Sequence, residues 1–136
     1  MKILIAYYSR TLRTERIAQQ IANALEGSIL VKIRTPKRIG ALKAMMDSFK
    51  TRDAEIEPIS SAVDPRAFDL VIAAGPVWAS HLSSPMRAFL KKHGQDVRAY
   101  AFVATHSSSK SDNSPVFTEM SELTGPITPL SAPRPA

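Results

Sequence analysis

Six consecutive residues, Ser9, Arg10, Thr11, Leu12, Arg13 and Thr14, place three hydroxyls and two guanidinium groups directly behind the apolar opening MKILIA. Each hydroxyl can donate to an anionic oxygen. A segment that leads from a strand into a helix adds free backbone N–H groups and the positive end of the helix. Together these are the parts of a phosphate cradle. A plain strand-to-helix turn uses the same residues differently: Thr11 or Thr14 caps the helix, Glu15 stands in its first turn, and the arginines face water.

Two further polar segments follow apolar runs. GPVWASHLSS, residues 75–84, holds the only tryptophan of the chain, Trp78. A flat ring system can lie against such a wall while the backbone of 76–79 reads its polar edge. The alternative has Trp78 folded back as a hydrophobic lid or buried in a subunit contact. THSSSKSD, residues 105–112, offers hydroxyls and N–H groups for an opposite edge. A phosphate clamp, an aromatic wall and a polar loop suit a phosphorylated flat cofactor.

Other chemistries lack their residues. The stretch 8–14 contains no glycine, so the G-x-G-x-x-G turn of dinucleotide folds is missing, as is the Gly-Lys-Ser/Thr of a P-loop. With no cysteine, thiolate nucleophiles, disulfides and Cys-ligated metals are excluded. His81 and His106 stand on two loops expected to converge, but only Asp112 accompanies them, and no metal site is assigned. A triad of serine, His106 and Asp112 lacks the G-x-S-x-G elbow. No protein nucleophile or general base is expected.

The elements that must position these loops are legible as periodicity. Residues 2–8 read as a buried strand, followed by a helix with Ile17, Ala18, Ile21, Ala22 and Leu25 on one stripe, closed by Gly27. Residues 28–33 form a second strand, and Leu42, Met45, Met46 and Phe49 share a helical face. An extended piece near 56–59 precedes a continuous apolar strand at 68–74, of the kind covered on both faces. Residues 75–84 read as a ten-residue loop. Ser84 as N-cap and Pro85 in the first turn start a helix with Met86, Phe89 and Leu90 inward, ended by Gly94. Strand 97–105 and a helix from Ser114-Pro115, with Val116, Phe117, Met120 and Leu123 on its apolar side, complete a βαβαβαβα order. A weak strand lies at 126–130. Such alternation predicts a mostly parallel sheet with helices on both faces.

The length of 136 residues and 44% hydrophobic content predict one domain over 1–136, with an irregular tail at 131–136. The charge of +6 is spread over separated residues, among them Lys32, Arg34, Arg87, Lys91 and Lys92. It reads as a solvated basic surface, without the dense tract or motif of a nucleic-acid binder. No apolar run reaches membrane-spanning length, and no secretory signal opens the chain, so the expected location is cytoplasmic.

On these residues the chain resembles the flavodoxin-like, FMN-binding proteins. SRTLRT matches the family's Ser/Thr-x-Ser/Thr-Gly-x-Thr phosphate loop at Ser9, Thr11 and Thr14. FDLVIAAGPVWASHLSSPMRAFL, residues 68–90, resembles the third strand, flavin-flanking loop and following helix; YAFVATHSSS resembles the fourth strand and second flanking loop. The resemblance implies a doubly wound, five-stranded parallel sheet in order 2-1-3-4-5 with FMN at its carboxyl edge. Ser9, Arg10, Thr11, Leu12, Arg13 and Thr14 would hold the phosphate. Pro76, Val77, Trp78 and Ala79 would flank the ring on one side, and Thr105, His106, Ser107 and Ser108 on the other. Leu12 takes the place of the family's loop glycine, and His106-Ser107 that of a Gly-Gly pair. No last helix follows 126–130, which leaves part of a sheet face to be covered and motivates a homodimer. The implied function is flavin-dependent oxidoreduction or electron transfer, with NAD(P)H or a redox protein as partner. The basic charge suits an anionic donor. The alternative is a flavodoxin-fold interaction or scaffold protein without flavin.

Overall fold

Alternate residues of the first strand, β1 (Ile3–Tyr7), serve two different cores. Ile3, Ile5 and Tyr7 point one way; Leu4, Ala6 and the following Tyr8 point the other, as the two-residue period of a strand requires. A sheet covered on both faces needs that arrangement. In the computed structural model, which describes residues 1–36, 56–59, 63–78, 81–105 and 114–124, both faces are covered.

The first face belongs to α1 (Leu12–Ala24). Its Ala18, with half-buried Ile21 and Ala22, packs on Ile5, Tyr7, Ile72 and Ala74. The second and larger core lies under α2 (Ser84–His93) and α3 (Ser114–Thr124), where Met86, Phe89, Leu90, Val116 and Met120 are buried. Fully burying side chains of this size contributes about 1.5–3 kcal/mol each, so this face carries much of the fold.

Beside β1 run β2 (Ile29–Lys32) and β3 (Leu70–Trp78), both parallel to it, with Leu4 opposite Ile29 and Ala6 opposite Ala73. A two-residue strand, β4 (His81–Leu82), folds back antiparallel on the end of β3. The last described strand, β5 (Tyr100–Thr105), pairs parallel with β3 on the edge away from β1, Ala73 opposite Phe102 and Pro76 opposite Thr105. The result is a five-stranded mixed sheet, doubly wound, whose long strands follow the flavodoxin-like order 2-1-3 and then the next long strand. The expected helix around 42–49, the weak strand 126–130 and the tail 131–136 lie outside the described residues.

One expected loop is mostly strand. β3 continues through Trp78 and turns into β4, so Trp78 stands in a ladder opposite His81. The helix α2 also starts a residue early, with Ser83 as its N-cap.

Candidate functional site

Tyr8 fixes where the chain leaves β1. It is buried, and its N–H donates to the Ala74 carbonyl at 3.0 Å, stitching the loop to β3. The next residue, Ser9, has a buried Oγ with no hydrogen-bond partner among the described residues. Leaving such a group unsatisfied costs about 1–3 kcal/mol, so this hydroxyl is poised to meet an acceptor. Arg10 beside it is half-buried.

Thr11 is the N-cap of α1, in extended backbone (φ −117°, ψ −178°), but its hydroxyl does not cap the helix. Leu12 is the first helical residue and is 58% exposed. It therefore needs none of the left-handed freedom of glycine, and its side chain turns outward instead of filling the hollow. Arg13 is exposed, and Thr14 is buried. The Oγ1 atoms of Thr14 and Thr105 lie 2.7 Å apart, a buried hydrogen bond between residues 91 positions apart. One hydroxyl donates to the other, and the acceptor's own hydrogen stays available for a further partner.

This bond ties the head of α1 to the carboxyl end of β5. With the Tyr8 contact to β3, it brings the first expected loop, Thr105 and the Pro76–Val77 end of β3 to one edge of the sheet. Pro76 and Val77 extend β3 past that edge, half-buried. Ala79, His106, Ser107, Ser108 and the side chain of Trp78 fall outside the described residues.

The first-turn Glu15 is engaged away from the loop hydroxyls. It accepts from the Tyr7 hydroxyl at 3.0 Å and from Lys32 Nζ at 3.2 Å. The Tyr7 hydrogen bond, then that of Lys32, holds its carboxyl below the usual range. Burial and then the Glu15 hydrogen bond push the Tyr7 phenol up to about 12.

The residues that shape the second loop were not readable from the sequence. Arg87, counted among scattered surface cations, is buried. Its Nε donates to Glu119 Oε1 at 2.6 Å, and its guanidinium also donates to the Leu82 carbonyl at 3.0 Å. Glu119 Oε2 accepts from the Leu82 N–H at 3.2 Å. An ion pair between α2 and α3 thus holds both backbone groups of a β4 residue, where another strand would otherwise pair. Nothing in the local pattern around residue 87 signals this, because its partner lies 32 positions away.

The chain's own residues fit the phosphate end of FMN. An uncapped helix start, an orphaned buried hydroxyl on Ser9 and an outward Leu12 leave a cradle that an anion can enter.

No protein-family model matches the chain, and neither does any curated protein. Solved structures do. A flavoprotein from Lactobacillus acidophilus, in complex with FMN, aligns with a TM-score of 0.79 at 18% identity, covering 95% of this chain and 89% of that one. The apo form of the flavoprotein from that organism aligns with a TM-score of 0.72, covering 96% and 89% at 18% identity. The fold is flavodoxin-like. A WrbA-like flavodoxin from Agrobacterium tumefaciens shares it more loosely, with a TM-score of 0.65 and 17% identity over 93% of this chain and 74% of that one.

Proposed function

We propose that this chain binds FMN at the carboxyl edge of its sheet and serves as a flavin-dependent oxidoreductase or electron-transfer protein. The observation that carries the reading is the open head of α1, where Thr11 leaves the helix uncapped and Leu12 turns to solvent. Backbone N–H groups at such an end bind phosphate through both hydrogen bonds and the helix dipole. Flavoproteins of the same fold, one of them in complex with FMN, support it.

In this reading Ser9, Thr11 and the first-turn N–H groups take the phosphate oxygens, and Thr14 or Thr105 adds the hydrogen their mutual bond leaves over. Arg10 and Arg13 neutralise the phosphate charge. Pro76, Val77, Trp78 and Ala79 flank one side of the ring, and Thr105, His106, Ser107 and Ser108 the other. Bound FMN supplies the redox chemistry, while the protein orients it and sets its electrostatic surroundings. The Arg87–Glu119 pair holds β4 and so steadies the ribbon that forms the first wall. A basic surface suits NAD(P)H as electron donor. A homodimer belongs to the same proposal, a second copy covering the α1 face near Ala101 and Val103, which are only half-buried.

The competing reading is a flavin-free interaction module. Its support is Thr14, whose hydroxyl is already engaged by Thr105. Titration with FMN separates the two: the proposal expects bound-flavin absorbance and a Kd below about 10 µM. Bleaching of the bound flavin by NAD(P)H then distinguishes a reductase from a carrier.

A further inference from the structure

On the other side of β1 from β3, the same sheet edge holds a second pocket, of about 280 Å³. Two buried residues, Tyr8 and Ile33, line it. The backbone builds its walls. The Ile33 N–H donates to the Tyr7 carbonyl at 2.7 Å, prolonging the β1–β2 ladder, and the Glu57 N–H donates to the Arg34 carbonyl at 2.7 Å. That second bond brings the segment 56–59 alongside the end of β2.

Among the described residues three cations line this space, Arg10, Lys32 and Arg34, against one carboxylate, Glu57. Lys32 is partly neutralised by Glu15 at 3.2 Å. Arg10 and Arg34 enter no ion pair among the described residues. Arg34 also acts through space on the Glu15 carboxylate, but the guanidinium groups of both arginines line one hollow, and their forked donors match phosphate oxygens.

We infer that this pocket is a second anion site that takes a phosphomonoester carrying a small hydroxyl-bearing body. The volume sets the size: it lies just below the ~300–1,000 Å³ of ordinary cofactor pockets, room for a phosphate and a sugar but not for a dinucleotide. Glu57 sets the chemistry. A carboxylate accepts from a sugar hydroxyl and repels a second phosphate. The site adjoins the flavin cradle but opens on another side of β1, between the ends of β1 and β2 instead of β1, β3 and β5. Ser9 and Arg10 border both. The inference does not rest on flavin binding.

Isothermal titration with inorganic phosphate, ribose 5-phosphate and ribose, with and without saturating FMN, tests it. Ribose 5-phosphate is expected to bind more tightly than either fragment, with FMN present as well as without it. Arg34→Ala keeps the backbone carbonyl that anchors Glu57, and should weaken ribose 5-phosphate roughly tenfold while leaving FMN affinity as in the unmodified protein. Glu57→Gln, an exposed change, should tighten inorganic phosphate about twofold or more by removing a like charge. Ribose 5-phosphate that binds Arg34→Ala as it binds the parent, with the circular dichroism spectrum intact, overturns the inference, and so does displacement of the sugar phosphate by FMN. Failure to bind FMN together with a tenfold effect of Arg34→Ala removes the flavin proposal and leaves this site standing.

Discussion

Leu12 decides more than its exposed position suggests. Standing at the first helical position with its side chain in solvent, it neither strains the backbone nor blocks the helix end. Replacing it with glutamate therefore separates stability from binding. Leu12→Glu adds a negative charge where the helix dipole favours one, raising stability by about 0.3–1 kcal/mol. The same charge opposes a bound phosphate and should weaken FMN by roughly fivefold. Thermal melting and flavin titration of one variant read both effects. The Tyr7–Glu15 pair makes a pH prediction at the same scale. Folding raises the Tyr7 phenol from 10.0 to about 12, so its contribution to stability is full below pH 10 and is lost as the pH rises toward 12. Glu15 is shifted down, so its contribution is present above the ordinary carboxylate range and is lost as the pH falls below it. Tyr7→Phe should flatten the alkaline loss and move the Glu15 carboxyl back up, as seen by denaturant melts from pH 8 to 12 and by NMR titration of Glu15.

Among the elements, α2 and α3 depend on two close contacts. Arg87 is almost fully buried and has Glu119 as its charge partner at 2.6 Å. Glu119→Ala removes the carboxylate that balances this buried charge and should cost about 3 kcal/mol in urea unfolding, with part recovered by the double change Arg87→Met, Glu119→Leu. Gly94 is required for space. A Cβ there would stand 2.7 Å from the Leu123 carbonyl at the end of α3. Gly94→Ala should push the helix ends apart and cost about 1–3 kcal/mol. These elements were readable in the sequence because strands such as FDLVIAA are continuous apolar runs and Ser-Pro pairs mark helix starts. The β3–β4 ribbon was not, because VWASHL carries neither a turn dipeptide nor a clear alternation. The burial of Arg87 was not readable either: a single arginine on an apolar helix looks like any surface cation until a carboxylate from another helix meets it.

At the scale of the molecule, the alternation of strands and helices along the chain predicted a doubly wound sheet, and a solved flavoprotein aligns on it with a TM-score of 0.79. The sheet edge that carries the candidate site was legible, because ligands of such sheets gather beyond the carboxyl ends of the strands. Its closure was not. The Thr14–Thr105 bond joins residues 91 apart, and only the register of β5 on β3 brings Thr105 level with Pro76 at that edge. The most direct test of the flavin proposal compares FMN with riboflavin, which lacks the phosphate, in the parent protein and in Arg10→Ala, Arg13→Ala. The account predicts that the double change weakens FMN by roughly tenfold or more and riboflavin by less than about twofold. Equal weakening of both ligands, or no uptake of FMN by the parent protein, would contradict it.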